Sequence, residues 1–248
     1  MDDTRYNDDR DALIERAKQA GVGTLVTIGT HLEDSRWNVA FVAGKQDVYA
    51  TVGIHPEMAD RWQDADLAEY EALAQKPGVV AIGEVGMDYH RPEFSREVQE
   101  PVFRTMIGLA KKLKLPLVIH NRQADRDTIR ILRDAWDPSL GGVFHCFAGD
   151  AQCAQEAVDL NFDLAVGGVL TFKSARSLRD IIKTVPLERL VLETDGPWLA
   201  PQAWRGQRNE PAYVTGVAQV LAELKGVSLE TVAEVTTRNA KRLFKLKA

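Results

Sequence analysis

Five stretches set a histidine or an acidic residue at or just behind a short apolar run: His55 in TVGIHP, Glu84 in AIGEVGMD, His120 in LVIHNR, His145 in GVFHCF and Asp195 in VLETDGP. Imidazole nitrogen with carboxylate oxygen is a donor set suited to Zn²⁺, Mn²⁺ or a similar divalent ion, and a carboxylate can bridge two ions ~3.5–4 Å apart. Metal-assisted hydrolysis is the chemistry such a set implies, provided the five residues meet. The two cysteines, Cys146 and Cys153, form no CxxC pair. A thiolate zinc site or a disulfide framework is therefore not expected. Each residue also has a plainer reading: a satisfied structural histidine, a helix cap or ion pair for Glu84, a turn former for Asp195 before Gly196 and Pro197. Of the other histidines, His31 reads as structural at a loop-to-helix entry, whereas His90 in MDYHR either lines the same mouth or packs beside it. Arg91, Arg122, Arg205 and Arg208 carry planar forks suited to phosphate, and at least one should face a ligand. Trp198 and Trp204 offer either a surface for a base to stack on or packing for a loop.

The elements that must position these side chains follow from periodicity. Apolar runs at residues 24–28, 48–52, 79–83, 117–120, 142–145, 162–166 and 190–193 read as strands, and they alternate with helical patterns at 34–43, 67–75, 94–113, 127–136, 152–159 and 178–184. Helices at 213–225 and 229–238 follow, the second entered through Ser228 as N-cap, and a helix at 9–20 opens the chain with Gly21 just past its end. The strand runs are apolar almost throughout, which implies burial on both faces, as in a parallel sheet covered by helices. A doubly wound sheet would place a phosphate loop after the first strand, but TIGTHLED contains neither GxGxxG nor GxxxxGKS. A TIM-type (β/α)₈ barrel fits better, because polar residues recur at the strands' carboxyl ends, where barrel sites are built. Only seven strands are expected in this chain, one short of closure.

The 248 residues are 45% hydrophobic and 27% charged, with no linker, charge block or repeat, so residues 1–248 read as a single domain. No apolar stretch approaches the ~20 residues that span a bilayer, and the first twenty residues lack an apolar signal core. No membrane association is expected, and a cytoplasmic address is the default. A formal charge of −5 argues against a broad basic surface holding nucleic acid by counterion release alone. It leaves room for a metal acting locally on a phosphate.

Taken together, GIHP, IGEVGMDYH, VIHNR, FHCFAGD, LETDGPWLAP, RGQRNEPAYV and TTRNAKRLF resemble the TatD-like metal-dependent deoxyribonucleases over essentially the whole chain. The resemblance implies a TIM-type barrel, one or two divalent ions (Mg²⁺, Mn²⁺ or Zn²⁺) and hydrolysis of DNA phosphodiesters, with exonuclease action from the 3′ end. Carried over by residue, Glu84 looks like a bridging metal ligand, His120 and His145 like ligands of one ion, and Asp195 like a ligand of the other and the acceptor of the attacking water's proton. Glu84 and Asp195 are thus the expected catalytic pair. His55 matches a position that approaches substrate phosphate, and His90, Arg122 and Arg205 complete the expected substrate-binding set. DNA, single-stranded or at 3′ ends, is the expected partner, and the assembly is a monomer or a homodimer.

One departure stands out. Family members begin with a strand ending in His-x-His-Leu, whereas this chain has no HxH, and DDTRYNDDRDALIERA resembles the stretch that ordinarily follows. The expectation is an N-terminally shortened form whose first strand and one ligand pair are missing together. The exposed sheet edges would then face a gap or pair directly, and activity would be reduced or abolished until the strand is restored. Two rival readings remain at this level: a metal-dependent ester or amide hydrolase, such as a D-aminoacyl-tRNA deacylase, and a non-catalytic scaffold that lost one metal site.

Overall fold

The computed structural model describes residues 1–91 and 93–246. Its seven strands lie in chain order in one sheet: β1 (Leu25–Thr27), β2 (Val48–Val52), β3 (Val79–Asp88), β4 (Leu117–Arg122), β5 (Gly142–Phe144), β6 (Phe162–Val166) and β7 (Leu190–Leu192). Every neighbouring pair is parallel, in registers such as Gly86 beside His120 and Ile119 beside Phe144. Between them run α2 (Leu32–Val42), α3 (Leu67–Ala74), α4 (Arg96–Leu113), α5 (Asp125–Ala135), α6 (Ala151–Asp159) and α7 (Arg176–Thr184). The helix α1 (Arg10–Gln19) precedes the sheet, and α8 (Val214–Lys225) and α9 (Leu229–Leu243) follow it. The result is a parallel half-barrel, seven strands of a TIM-type architecture. Among the described residues β1 and β7 do not pair with each other, so the sheet is open between them.

Side-chain alternation explains why the strands read as apolar throughout. Ile82, Leu117, Ile119, Phe144, Leu164 and Leu190 face outward into one core with Phe103 and Met106 of α4, Ile131 of α5, Ile182 of α7 and Leu221 of α8. Each such side chain withdraws about 1.5–3 kcal/mol worth of apolar surface from water. The opposite face holds smaller residues, Ala81, Val118, Val143, Ala165 and Val191, which gather around Leu243 of α9. This second cluster stoppers the amino-terminal end of the sheet, and Arg242 beside it pairs with the buried Asp163 of β6 at 2.7 Å. Two residues further along the same inward face, Val118 gives way to His120, Val143 to His145 and Val191 to Glu193. The sheet therefore carries its polar groups at the carboxyl end and its packing groups at the other, as period-two geometry requires.

Local signals mark some of the boundaries. Ser228 accepts from the Thr231 N–H as the N-cap of α9, and Gly21 takes φ +85° just past α1. The two largest differences from the sequence reading are β3, which continues five residues past Gly83 to Asp88, and α9, which continues past Arg238 to Leu243. Three ties fasten α1 and the residues before it to the segment after β7, and a fourth contact, Arg16 to Asp9, braces them from within. The Tyr6 hydroxyl donates to the Asn209 carbonyl at 2.6 Å, Arg16 pairs with Glu210 at 2.7 Å and with Asp9 at 2.9 Å, and Arg208 pairs with Asp9 at 2.7 Å.

Candidate metal centre

The extension of β3 is built around two glycines. Gly83 takes φ +155° and Gly86 φ +149°; a Cβ on Gly83 would lie 2.5 Å from the Val118 side chain, and one on Gly86 only 2.0 Å from the His120 carbonyl oxygen. Only glycine permits β3 to run that close to β4. Glu84, Gly86 and Asp88 consequently share the inward face, and both carboxylates reach the His120 ring.

His120 is held at both nitrogens: Nδ1 lies 2.7 Å from Glu84 Oε1 and Nε2 lies 2.8 Å from Asp88 Oδ2. Although burial opposes it, hydrogen bonding to Asp88 and Glu84 raises this imidazole to about 9. Burial likewise opposes ionisation of Glu84, yet the charge of His145 and the hydrogen bond from His120 hold its carboxyl well below the usual range. Asp88 is lowered too, against its burial, by its bond to His120 and by the His90 N–H. His55 Nε2 approaches His120 Nδ1 at 2.9 Å and Glu84 Oε1 at 3.8 Å. Its Nδ1 accepts the Glu57 N–H at 3.2 Å, so a neutral His55 carries its proton on Nε2. Burial lowers this imidazole to about 4, which keeps it neutral. Across the mouth, His145 Nδ1 meets Glu193 Oε2 at 2.5 Å while Nε2 points at Asp195 Oδ1, 3.4 Å away. Against burial, Glu193, Glu84 and Asp195 together raise His145 well above its ordinary value.

The donor set fits a divalent cation. Ligand atoms of His55, Glu84 and His120 all lie within 4.8 Å of one another. The repeated pattern of a histidine with one nitrogen on a carboxylate and the other aimed inward, in His120 with Asp88 and His145 with Glu193, is how metal-binding imidazoles are oriented. Glu193 Oε1 is buried without a hydrogen-bond partner among the described residues, a costly arrangement for a carboxylate unless a cation is nearby. Positive charge is already demanded here, and the protons on His120 and His145 supply it.

The remaining candidates divide. Arg122, an exposed residue, and Arg205 take part in no ion pair among the described residues, and Arg205 lies over the Phe172 ring at 3.8 Å. Arg91 is paired with Glu57 at 3.0 Å, and Arg208 is committed to Asp9 and the Arg5 carbonyl. His90 stands at the rim with Nδ1 3.2 Å from the Gln123 amide, and His31 is the N-cap of α2 in a capping box with Asp34. Trp204 stacks on Tyr213 at 4.3 Å, whereas Trp198 is 60% exposed. Asp195 is both turn former and site group: it has φ +52°, and its carbonyl accepts the Trp198 N–H at 2.9 Å. Asp88 and Glu193 are the two site carboxylates that residue-by-residue reading misses. Their signal lies in spacing, since each is an even number of positions from a site residue or an inward apolar one on its own strand.

The TatD related DNase family matches residues 1–245. This chain belongs to that family. Among the relatives of this TatD-family chain, a Bacillus subtilis (strain 168) protein named "Uncharacterized metal-dependent hydrolase YabD" is 41% identical over 242 residues, covering 98% of this chain and 95% of that protein. An Erwinia tasmaniensis protein named "3'-5' ssDNA/RNA exonuclease TatD" is 34% identical over 253 residues, covering 98% and 96%. Among solved structures, YJJV, a TatD homologue from Escherichia coli, superposes with a TM-score of 0.92 at 33% identity, over 99% of this chain and 95% of that one. The chain is thus a TatD-family member of the metal-dependent hydrolases.

Proposed function

We propose that this TatD-family chain hydrolyses phosphodiester bonds of single-stranded nucleic acid, DNA foremost, from the 3′ end. The observation that carries the reading is the carboxylate and imidazole cluster of Glu84, His120, His145 and Asp195 at the carboxyl ends of the strands, with His55 beside Glu84 and Arg122 beside Asp88. Relatives named 3′–5′ exonucleases acting on single-stranded DNA and RNA support the substrate class. Glu84, His120, His145 and Asp195 would hold Mg²⁺, Mn²⁺ or Zn²⁺, which when bound supplies Lewis acidity toward a phosphoryl oxygen and acidifies water.

The protein's own groups do the rest. Asp88 and Glu193 fix the tautomers of His120 and His145, so that the inward nitrogens are free of protons when an ion is held. Asp195, whose carboxylate faces the mouth from the β7 side, accepts the proton of the attacking water. His55 cannot both keep the Glu57 N–H on Nδ1 and offer a bare Nε2 while neutral. It therefore suits donation from Nε2–H to a phosphate oxygen better than metal ligation. Arg122 and Arg205, with no ion-pair partners among the described residues, suit the phosphates on either side.

Incubating the protein with single-stranded DNA labelled at the 5′ or the 3′ end, in Mg²⁺, Mn²⁺ or Zn²⁺, tests the reading. Stepwise shortening of the 5′-labelled strand is expected. Cleavage of a D-aminoacyl ester with no action on DNA would replace this reading by the esterase one, and metal binding without any hydrolysis would reduce the chain to a binding scaffold.

A further inference from the structure

We infer that Trp198, braced from behind by Arg5, is a stacking platform for one base of a single-stranded polynucleotide at the rim of the mouth. The inference rests on the nucleic-acid reading above and adds to it the place and the chemical group recognised.

Trp198 is 60% exposed, while the other exposed large apolar side chains among the described residues, Val98, Leu199, Val227 and Leu229, are 38–39% exposed. The exposure is not that of a loose side chain. The Arg5 guanidinium lies 3.6 Å from the ring centroid. Arg5 is itself clamped by Asp3 through Nε to Oδ1 at 2.9 Å and Nη2 to Oδ2 at 2.7 Å. The backbone is fixed as well: the Trp198 N–H donates to the Asp195 carbonyl at 2.9 Å, and the Trp198 carbonyl accepts the Asn209 amide at 2.6 Å. A single guanidinium can cover only one face of an indole, so at this exposure the opposite face is open to solvent. Trp204, six residues on in the same segment, is instead spent on packing, stacked on Tyr213 with an interplanar angle of 6°. The loop thus occupies one indole, which is half-buried, and presents the other.

Position and charge choose the occupant. Trp198 follows Asp195 by three residues, at most about 10 Å of extended chain, so a group on the platform is next to the reacting end of a bound strand. The cation behind the ring is neutralised by Asp3, which makes the platform a poor site for a phosphate. An uncharged planar group is what the open face accepts, and every nucleobase has one, so stacking here would tolerate any sequence.

Base stacking on an aromatic side chain is worth about 5- to 150-fold in affinity. The test compares two hydrolysis-resistant phosphorothioate hexamers, one of thymidine and one of abasic tetrahydrofuran residues, by fluorescence anisotropy with the full chain in Mg²⁺. The wild type should bind the thymidine hexamer at least about 5-fold more tightly. Trp198→Ala should bring the ratio of the two dissociation constants to about one, and Trp198→Phe should keep most of the preference. A wild type indifferent to the bases, or a Trp198→Ala variant that keeps the full ratio, overturns the platform. Both outcomes are read without hydrolysis, so a failed cleavage assay sinks the nuclease reading and an unchanged ratio sinks this one.

Discussion

Replacing Asp88 by Asn asks whether the carboxylate behind His120 sets the metal-binding competence of that ring. Asp88 is fully buried, and each of its oxygens is an acceptor: Oδ2 toward His120 Nε2 at 2.8 Å and Oδ1 from the His90 N–H at 2.8 Å. An asparagine of the same shape offers one acceptor and one donor. If its oxygen turns to His120, its NH₂ confronts the His90 N–H; if it turns to His90, the NH₂ confronts Nε2 and drives the ring proton to Nδ1. The first arrangement strands a buried donor at a cost of about 1–3 kcal/mol. The second puts a proton on the nitrogen that faces Glu84 and must be bare to hold an ion. Either way metal affinity should fall by about 10- to 100-fold, the range for removing an outer-shell partner, or about 1.4–2.7 kcal/mol. Isothermal titration of the chelator-stripped protein with Mn²⁺ or Zn²⁺ measures this, with circular dichroism confirming the fold. An Asp88→Asn variant that folds and binds the ion as tightly as the wild type would refute the idea that Asp88 holds the tautomer.

Three other outcomes can be checked with simpler readouts. Glu84→Ala removes the carboxylate nearest His120 and should abolish hydrolysis along with tight metal uptake; a folded, metal-loaded variant with a near-normal rate argues against a bridging role. Gly86→Ala should lower stability by at least about 2 kcal/mol in a denaturant melt, because the added Cβ meets the His120 carbonyl in a backbone region alanine avoids. An unaltered midpoint there would mean that β3 and β4 can separate cheaply. In chelator, the thermal midpoint should fall as pH rises from 6.5 to 9: His120 is raised to about 9 when folded, so its stabilising contribution is complete below 6.5 and lost through 9. The fall should be smaller in His120→Gln, where His145, also raised when folded, still contributes, and suppressed by saturating metal, which replaces the protons; a wild type and variant with parallel pH profiles would exclude His120 as a source.

Much of the fold was legible because the strands are buried on both sides. The runs LVIH and GVFH end in a polar inward residue that declares where the sheet stops packing and the mouth begins. β3 was harder, since GEVGMD carries two glycines and two acids and reads as a loop. Its strand character comes from proximity to β4, a tertiary fact that local propensity does not carry. Asp88 was lost with that boundary. Arg208 shows the converse limit, for a phosphate-shaped fork in a site loop is satisfied by Asp9, which lies far away in sequence. Trp198 and Trp204 were equivalent as letters, and only the placement of Arg5 and Tyr213 separates them.

The stopper at the amino-terminal end of the sheet is made from Leu243, near the end of the chain. During synthesis every strand leaves the ribosome before the residue that fills the space among Ala81, Val118, Val143, Ala165 and Val191. Until α9 emerges, the nascent half-barrel is a cup without a base, and a premature stop before that helix would leave its hydrophobic lining wet. The base of the sheet therefore closes only after every strand has been made, and a chain lacking α9 would expose the apolar surface that Leu243 covers.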